Sequence, residues 1–319
     1  MADTAIRVAF MRTQLPSLES ALNAFKASSS AFRVVRTVNP PPSNEASRPP
    51  KTLYILDSSF NPPSIAHLSL VTSALRNPSP NDAQPFRFLL LLSTMNADKA
   101  PSPASFEHRL ALMALFAEDL TQELSGASST SSNKSTPATP AINVPIDIGL
   151  TTAPYYSDKS AAIDAADSSP YPKGVKHVHL VGYDTLIRFT APKYYKDYSP
   201  PLSALAPFFE AGHKLRVTQR PATADDESSS EFGTAEEQRG YLDRLRKGEL
   251  ESEGFKPEWA ERLDMVPGDE GVGVSSTRAR KAANRGDWEE VGRLLTPSVA
   301  RWVKELGLYK DDARGAKMA

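Results

Sequence analysis

The chain has 319 residues, and its 37 Lys and Arg against 38 Asp and Glu leave a formal net charge of −1. That balance excludes a global basic field for nucleic acid or an anionic membrane, and the lack of any cysteine excludes disulfides, zinc–thiolate sites and a cysteine nucleophile. No apolar run approaches the roughly 20 residues that span a bilayer, and the length suits one large α/β domain or two smaller ones.

Leu18, Leu22 and Phe25 recur at helical spacing, so residues 17–27 read as a short amphipathic helix, followed by a strand over 31–38. The Pro- and Ser-rich stretch 39–50 reads as a linker. Residues 53–56 and 86–92 are nearly unbroken apolar runs, as in strands covered on both faces. Residues 107–124 read as a helix with Leu110, Ala114, Phe116 and Leu120 on its buried side. Ser, Thr and Pro dominate 125–140, an insertion too polar to bury. Further strands are expected over 142–148, 175–181, 215–218 and 263–266, an acidic second insertion near 221–233, and a charged helix over 235–247. From Thr277 the chain reads as helical. Strands alternating with helices imply an α/β fold with a mostly parallel sheet.

Residues 55–67 read Ile-Leu-Asp-Ser-Ser-Phe-Asn-Pro-Pro-Ser-Ile-Ala-His. The pattern is strand, tight loop, helix. Loop N–H groups and the first helical turn converge there, which favours a phosphate. His67 adds a side-chain donor at the carboxyl end of a strand, where open α/β sheets place ligands. A Pro-rich turn with a capping serine and a surface histidine fits the same residues. Near the other end, Val274-Ser275-Ser276-Thr277-Arg278-Ala279-Arg280 leads into a helix. Serine and threonine are favoured helix caps, and Arg280 lies about one turn beyond Thr277, within reach of an anion held at that helix end.

Together these stretches resemble the eukaryotic nicotinamide mononucleotide adenylyltransferases and their fungal relatives, in the nucleotidyltransferase superfamily. That family's first motif, Gly-Ser-Phe-Asn-Pro followed by Thr or His, two residues and His, stands here as Ser58 to His67. Its late motif, Ile-Ser-Ser-Thr-x-x-Arg, stands as Val274 to Arg280. Phe106-Glu107-His108-Arg109-Leu110-Ala111-Leu112-Met113 resembles the helix after the family's lysine-bearing loop, where Lys99 sits. His179-Leu180-Val181-Gly182-Tyr183-Asp184 resembles its strand ending in Gly-x-Asp. All four occur in the family's order, over roughly residues 51–311.

The resemblance implies a Rossmann-like nucleotidyltransferase fold over 51–311, preceded by an N-terminal extension and linker over 1–50 and followed by a tail over 312–319. It implies transfer of AMP from ATP, supplied with Mg²⁺, to nicotinamide mononucleotide, forming NAD and pyrophosphate without a covalent enzyme intermediate. His67 would contact the α-phosphate. Ser59, Phe60 and Asn61 would offer loop backbone, and Ser276, Thr277 and Arg280 would hold the outer phosphates. Asp184 would meet a ribose, with a helix-capping role as the plain alternative. Lys99 has two readings, a triphosphate contact or simple loop charge, and Arg278 reads equally as a solvated helix charge. For His108 and Arg109, packing or ion pairing is favoured over chemistry.

The chain departs from the family pattern at several places. Ser58 replaces the loop glycine, and Ser64 stands at the Thr-or-His position. Tyr195 stands for the tryptophan expected on the nicotinamide side, where it retains a face for a pyridinium ring; Tyr155 or Tyr156 would supply the second aromatic. Two alternatives stand beside this activity: an adenylyltransferase for another acceptor, or a nucleotide-binding scaffold or ATPase-like stress protein with a degenerate acceptor pocket. No protein-held metal site is expected. His177 and His179 share a strand face but suggest no third ligand, and His213 suggests no partner. No nucleic-acid or membrane partner is expected. Arg7, Arg12, Arg33 and Arg36 lend the N-terminus basic character, but Asp3 and Glu19 favour a cytoplasmic or nuclear location over a mitochondrial one.

Overall fold

The computed structural model describes residues 2–41, 48–94, 104–126, 140–167, 169–220, 232–268 and 276–310. Lys99, Ser275, the 312–319 tail and most of the two expected insertions lie outside them. Seven strands form one sheet: β1 (Phe32–Val38), β2 (Thr52–Asp57), β3 (Phe86–Ser93), β4 (Ile146–Thr151), β5 (Lys176–Gly182), β6 (Lys214–Thr218) and β7 (Leu263–Val266). Their order is β1-β4-β3-β2-β5-β6-β7. Only β1 runs antiparallel to its neighbour, β4, with Phe32 opposite Thr151; the other pairs are parallel.

Alternation on the central strands sorts side chains to two faces. Tyr54, Leu56, Phe88, Leu90, Ile146 and Ile148 join one core with α2 (Ile65–Arg76), α3 (Phe106–Leu124) and the C-terminal helices α8 (Ser276–Arg285), α9 (Trp288–Leu294) and α10 (Pro297–Glu305). Leu53, Ile55, Leu89 and Leu91 face the other way, toward Ile163 of α4 (Tyr156–Ala165). A third core gathers α5 (Tyr183–Phe189), α6 (Ala206–Glu210) and α7 (Ala235–Arg246) over β6. Thr234 caps α7 and Glu237 bonds back to its N–H, a capping box. Among the described residues, no helix is long and apolar enough to cross a membrane.

Three elements differ from the expectation. The first helix, α1, runs from Ala2 to Lys26 straight through Pro16. An interior proline costs about 3 kcal/mol. Burial of Val8, Met11, Leu18, Leu22 and Phe25, together with the Arg7–Asp119 ion pair at 2.7 Å, opposes that cost. Because α1 covers it, α3 is buried on nearly every side from Arg109 to Ala117, not along one stripe. Strand β4 begins at Ile146, later than the 142–148 reading, and extends through Gly149 to Thr151 between two partners. Its buried Asp147 masked the strand in sequence. That carboxylate is satisfied by Arg87, Thr37 and Tyr171.

Candidate active site

Strand β2 marks the point where the sheet's order reverses, with β3 and β4 on one side and β5 to β7 on the other. Ligands of open α/β sheets bind outside the carboxyl ends of such strands. The loop 58–64 leaves β2 there and enters α2. Phe60 turns it: its backbone is left-handed, at φ 46°, and its side chain is wholly buried. That conformation is uncommon for a bulky residue, and packing of the ring against His67, 5.7 Å away, helps to hold it. The position expected to need glycine, Ser58, is not left-handed.

His67, in the first turn of α2, is partly buried and bonded at both nitrogens. Its Nδ1 accepts the Ser64 backbone N–H at 3.0 Å and lies 3.0 Å from Ser64 Oγ. A backbone N–H only donates, so Nδ1 is unprotonated and the neutral ring carries its proton on Nε2. That nitrogen lies 3.0 Å from Ser58 Oγ and therefore donates to it. Burial pulls the histidine down to about 4, so it is neutral near pH 7. Ser58 and His67 are consequently no nucleophile–base pair, since Nε2 has no lone pair to take the serine proton.

The two motifs, more than 200 residues apart in sequence, meet at this loop. Ser276 Oγ donates to the Pro62 carbonyl at 2.8 Å. Arg280 donates to the Asn61 carbonyl at 2.8 Å and to Thr277 Oγ1 at 3.2 Å. Tyr309 O–H donates to Asn61 Oδ1 at 2.9 Å. The start of α8 is thus tied directly to the loop before α2, and two helix N-termini border one space. Arg109, read in sequence as a packing residue, is buried, donates to the Ala104 carbonyl and feels the charge of Arg280. Burial first, and Arg280 after it, lower its affinity for its proton. Two neighbouring guanidiniums suit a polyanion. Tyr309 did not stand out in sequence, because its partner Asn61 is distant in the chain. Arg278 points elsewhere, onto Glu290 at 2.8 Å.

Asp184 lies in the first turn of α5, beyond the end of β5, and pairs with Arg188 at 2.5 Å. A side chain at Gly182 would put its Cβ 2.6 Å from Asp184 Oδ1, so glycine there leaves room for the carboxylate in its present position. Tyr195 is only 7% exposed, and its hydroxyl donates to the Phe189 carbonyl. Its ring lies 5.8 Å from that of Tyr155, which is 44% exposed. Of the two candidates for the second aromatic, Tyr155 is the one open to solvent; Tyr156 packs edge-on against His179 and Phe189.

His177 meets His179 edge-on, at 6.3 Å between ring centroids, and stacks on His213. The His177 and His213 rings lie face to face at 4.1 Å, and both Nε2 atoms approach Asp164, at 3.5 and 3.4 Å. His213 thus has a partner that sequence did not suggest. These three residues offer donors within 4.8 Å of one another, which resembles a metal-ligand set. The chemistry argues otherwise. His213 Nδ1 accepts the His177 N–H, so its Nε2 carries the proton and faces Asp164 as a donor. Stacked rings also keep their lone pairs in two parallel planes, which do not meet at one ion. His179 separately bonds Ser160 at 2.8 Å.

Among curated proteins, a fission-yeast (Schizosaccharomyces pombe) protein named "Putative nicotinamide mononucleotide adenylyltransferase" is 30% identical over 262 residues, covering 82% of this chain and 87% of its own. The chain belongs to the nicotinamide mononucleotide adenylyltransferase family. Membership makes it a nucleotidyltransferase of NAD biosynthesis, an enzyme that transfers adenylyl groups between nucleotide substrates. No protein-family model matches the chain. Among solved structures, the Plasmodium falciparum nicotinic acid mononucleotide adenylyltransferase complexed with NaAD covers 82% of this chain and 98% of its own, at 14% identity and a TM-score of 0.44. The same parasite enzyme complexed with APC gives 13% identity and 0.43.

Proposed function

We propose that this chain transfers AMP from ATP to nicotinamide mononucleotide, forming NAD and releasing pyrophosphate. The observation that carries the reading is the junction of the 58–67 loop with the start of α8 through Ser276–Pro62 and Arg280–Asn61. It gathers a neutral histidine donor, a guanidinium and two helix N-termini beside the carboxyl end of β2. ATP enters with its own Mg²⁺, which spreads charge over the outer phosphates.

The acceptor's 5′-phosphate oxygen attacks the α-phosphorus in line, the bond from the α-phosphorus to the bridging oxygen breaks, and pyrophosphate leaves with the electron pair. No side chain need be a nucleophile. The protein's work is to hold two polyanions together and to stabilise charge as it moves to the leaving group. In this reading His67 Nε2–H is the donor to the α-phosphate, and Ser59, Phe60 and Asn61 offer backbone. Ser276, Thr277 and Arg280 receive the β- and γ-phosphates, Lys99 is a further triphosphate contact in this reading, and Arg109 adds charge behind Arg280. Asp184 is the ribose contact, released from Arg188. Tyr155 stacks on the nicotinamide ring and Tyr195 backs it, which moves the direct acceptor contact from Tyr195 to its exposed neighbour.

Initial rates with ATP and either nicotinamide mononucleotide or its deamidated acid decide the acceptor. The reading expects the amide to be used, with NAD and pyrophosphate formed one to one. Turnover with the acid alone would overturn the acceptor assignment and leave adenylyl transfer in place.

A further inference from the structure

The family pattern has glycine where this chain has Ser58, and a glycine offers the histidine nothing. Here the serine hydroxyl sits 3.0 Å from His67 Nε2, on the ring edge that carries the proton. The opposite edge is fixed by Ser64, whose backbone N–H and hydroxyl both meet Nδ1 at 3.0 Å. Two serines therefore bracket the imidazole, one on each nitrogen, and hold both its tautomer and its orientation. Ser58 itself is anchored by its backbone N–H on the Leu91 carbonyl of the neighbouring strand, at 3.3 Å. Its hydroxyl thus comes from a fixed point of the sheet rather than from a mobile loop tip. Ser58 and His67 are both partly accessible, so an incoming oxygen can reach the bond between them.

We propose that Ser58 is a positioning residue whose hydroxyl is the resting acceptor of the His67 Nε2 proton, aims the imidazole into the site, and yields that proton to the incoming nucleotide phosphate. The inference rests on the nucleotide-site reading of His67 given above. It makes Ser58 an internal competitor of the substrate. Binding exchanges one neutral hydrogen bond for a charge-assisted one, which is the stronger of the two, so the exchange runs toward the nucleotide. The competitor nevertheless weakens ATP binding relative to a site with no hydroxyl there. It also keeps the partly accessible donor bonded within the protein when the site is empty.

The test measures the Kd of Mg-ATP by calorimetry for wild type, Ser58→Gly, Ser58→Ala and Ser58→Thr, each alone and with His67→Ala. Long-range ¹H–¹⁵N imidazole spectra of the full chain provide the second readout. Removing the hydroxyl should tighten ATP about two- to tenfold, the range that one ordinary neutral hydrogen bond covers. Threonine, which keeps the hydroxyl, should restore the wild-type value. The gain should vanish when His67 is absent. The spectra should show His67 neutral with its proton on Nε2, and that resonance should shift in Ser58→Ala and again when ATP binds. Weaker ATP binding in Ser58→Ala, an equal gain without His67, or a proton on Nδ1 would each overturn the proposal. A chain that binds ATP with this pattern yet makes no NAD would refute the acceptor assignment and leave the role of Ser58 standing. A chain that binds no ATP would refute both.

Discussion

Replacing Lys159 with methionine tests how the floor of the site is held. Lys159 projects from α4 to the Asp57 carboxylate, at the last residue of β2 and next to Ser58. The side chains are only 6% and 11% exposed, and the ammonium also lies 5.1 Å from the Tyr156 ring. Such a pair is weak evidence for net stability, because its attraction mainly offsets the cost of desolvating both ions. Removing one partner is different, since the other charge stays buried and unpaired. The expected cost is about 3–5 kcal/mol, or a fall in Tm of roughly 6–10 °C at about 2 °C per kcal/mol for a large domain. Urea unfolding followed by circular dichroism and fluorescence measures it. The double variant Asp57→Leu, Lys159→Met removes both charges and should recover to within about 1 kcal/mol of wild type. A single variant costing under about 1 kcal/mol, as an exposed pair would, refutes the buried-pair argument, and so does a double variant no better than the single.

Three further outcomes follow from the geometry. Burial holds His67 at about 4 and His177 at about 3 in the folded chain, while the unfolded chain takes up these protons near 6.5; their contribution is therefore complete above about pH 6.5 and is lost as pH falls toward 4. Urea midpoints that stay flat from pH 7 to 4 would contradict this. Gly182→Ala puts its Cβ 2.6 Å from Asp184 Oδ1, and because that carboxylate can rotate, unfolding should change by less than about 1 kcal/mol while ATP binding weakens; unchanged ATP affinity in calorimetry would remove Asp184 from the site. Tyr155→Ala should raise the KM for the mononucleotide about fivefold or more, as expected for loss of a ring–cation contact of about 1 kcal/mol, with the KM for ATP little changed; a rise confined to ATP would count against the stacking role.

The sheet was legible in sequence wherever strands are apolar on both faces, as in 53–56 and 86–92. Strand β4 was misplaced because a buried ionic cluster put aspartate in its middle. Helix α4 gave little signal, since Lys159 and Ser160 are buried there by polar partners rather than by apolar periodicity. The loop before α2 and the start of α8 were legible because both carry motifs of few residue types at fixed spacing. What joins them was not, for Ser276–Pro62, Arg280–Asn61 and Tyr309–Asn61 each link residues more than 200 positions apart. The glycine-to-serine change at 58 read in sequence only as a departure from the family pattern. In three dimensions it is the gain of a hydroxyl on the histidine.

Product analysis decides whether adenylyl transfer takes place at His67. Purified chain with ATP, Mg²⁺ and nicotinamide mononucleotide should yield NAD and pyrophosphate in equal amounts. His67→Ala should lower kcat by about a hundredfold or more, as loss of a placed transition-state donor does, while remaining folded. Full activity in His67→Ala, or ATP binding with no NAD formed by the wild type, would contradict the account.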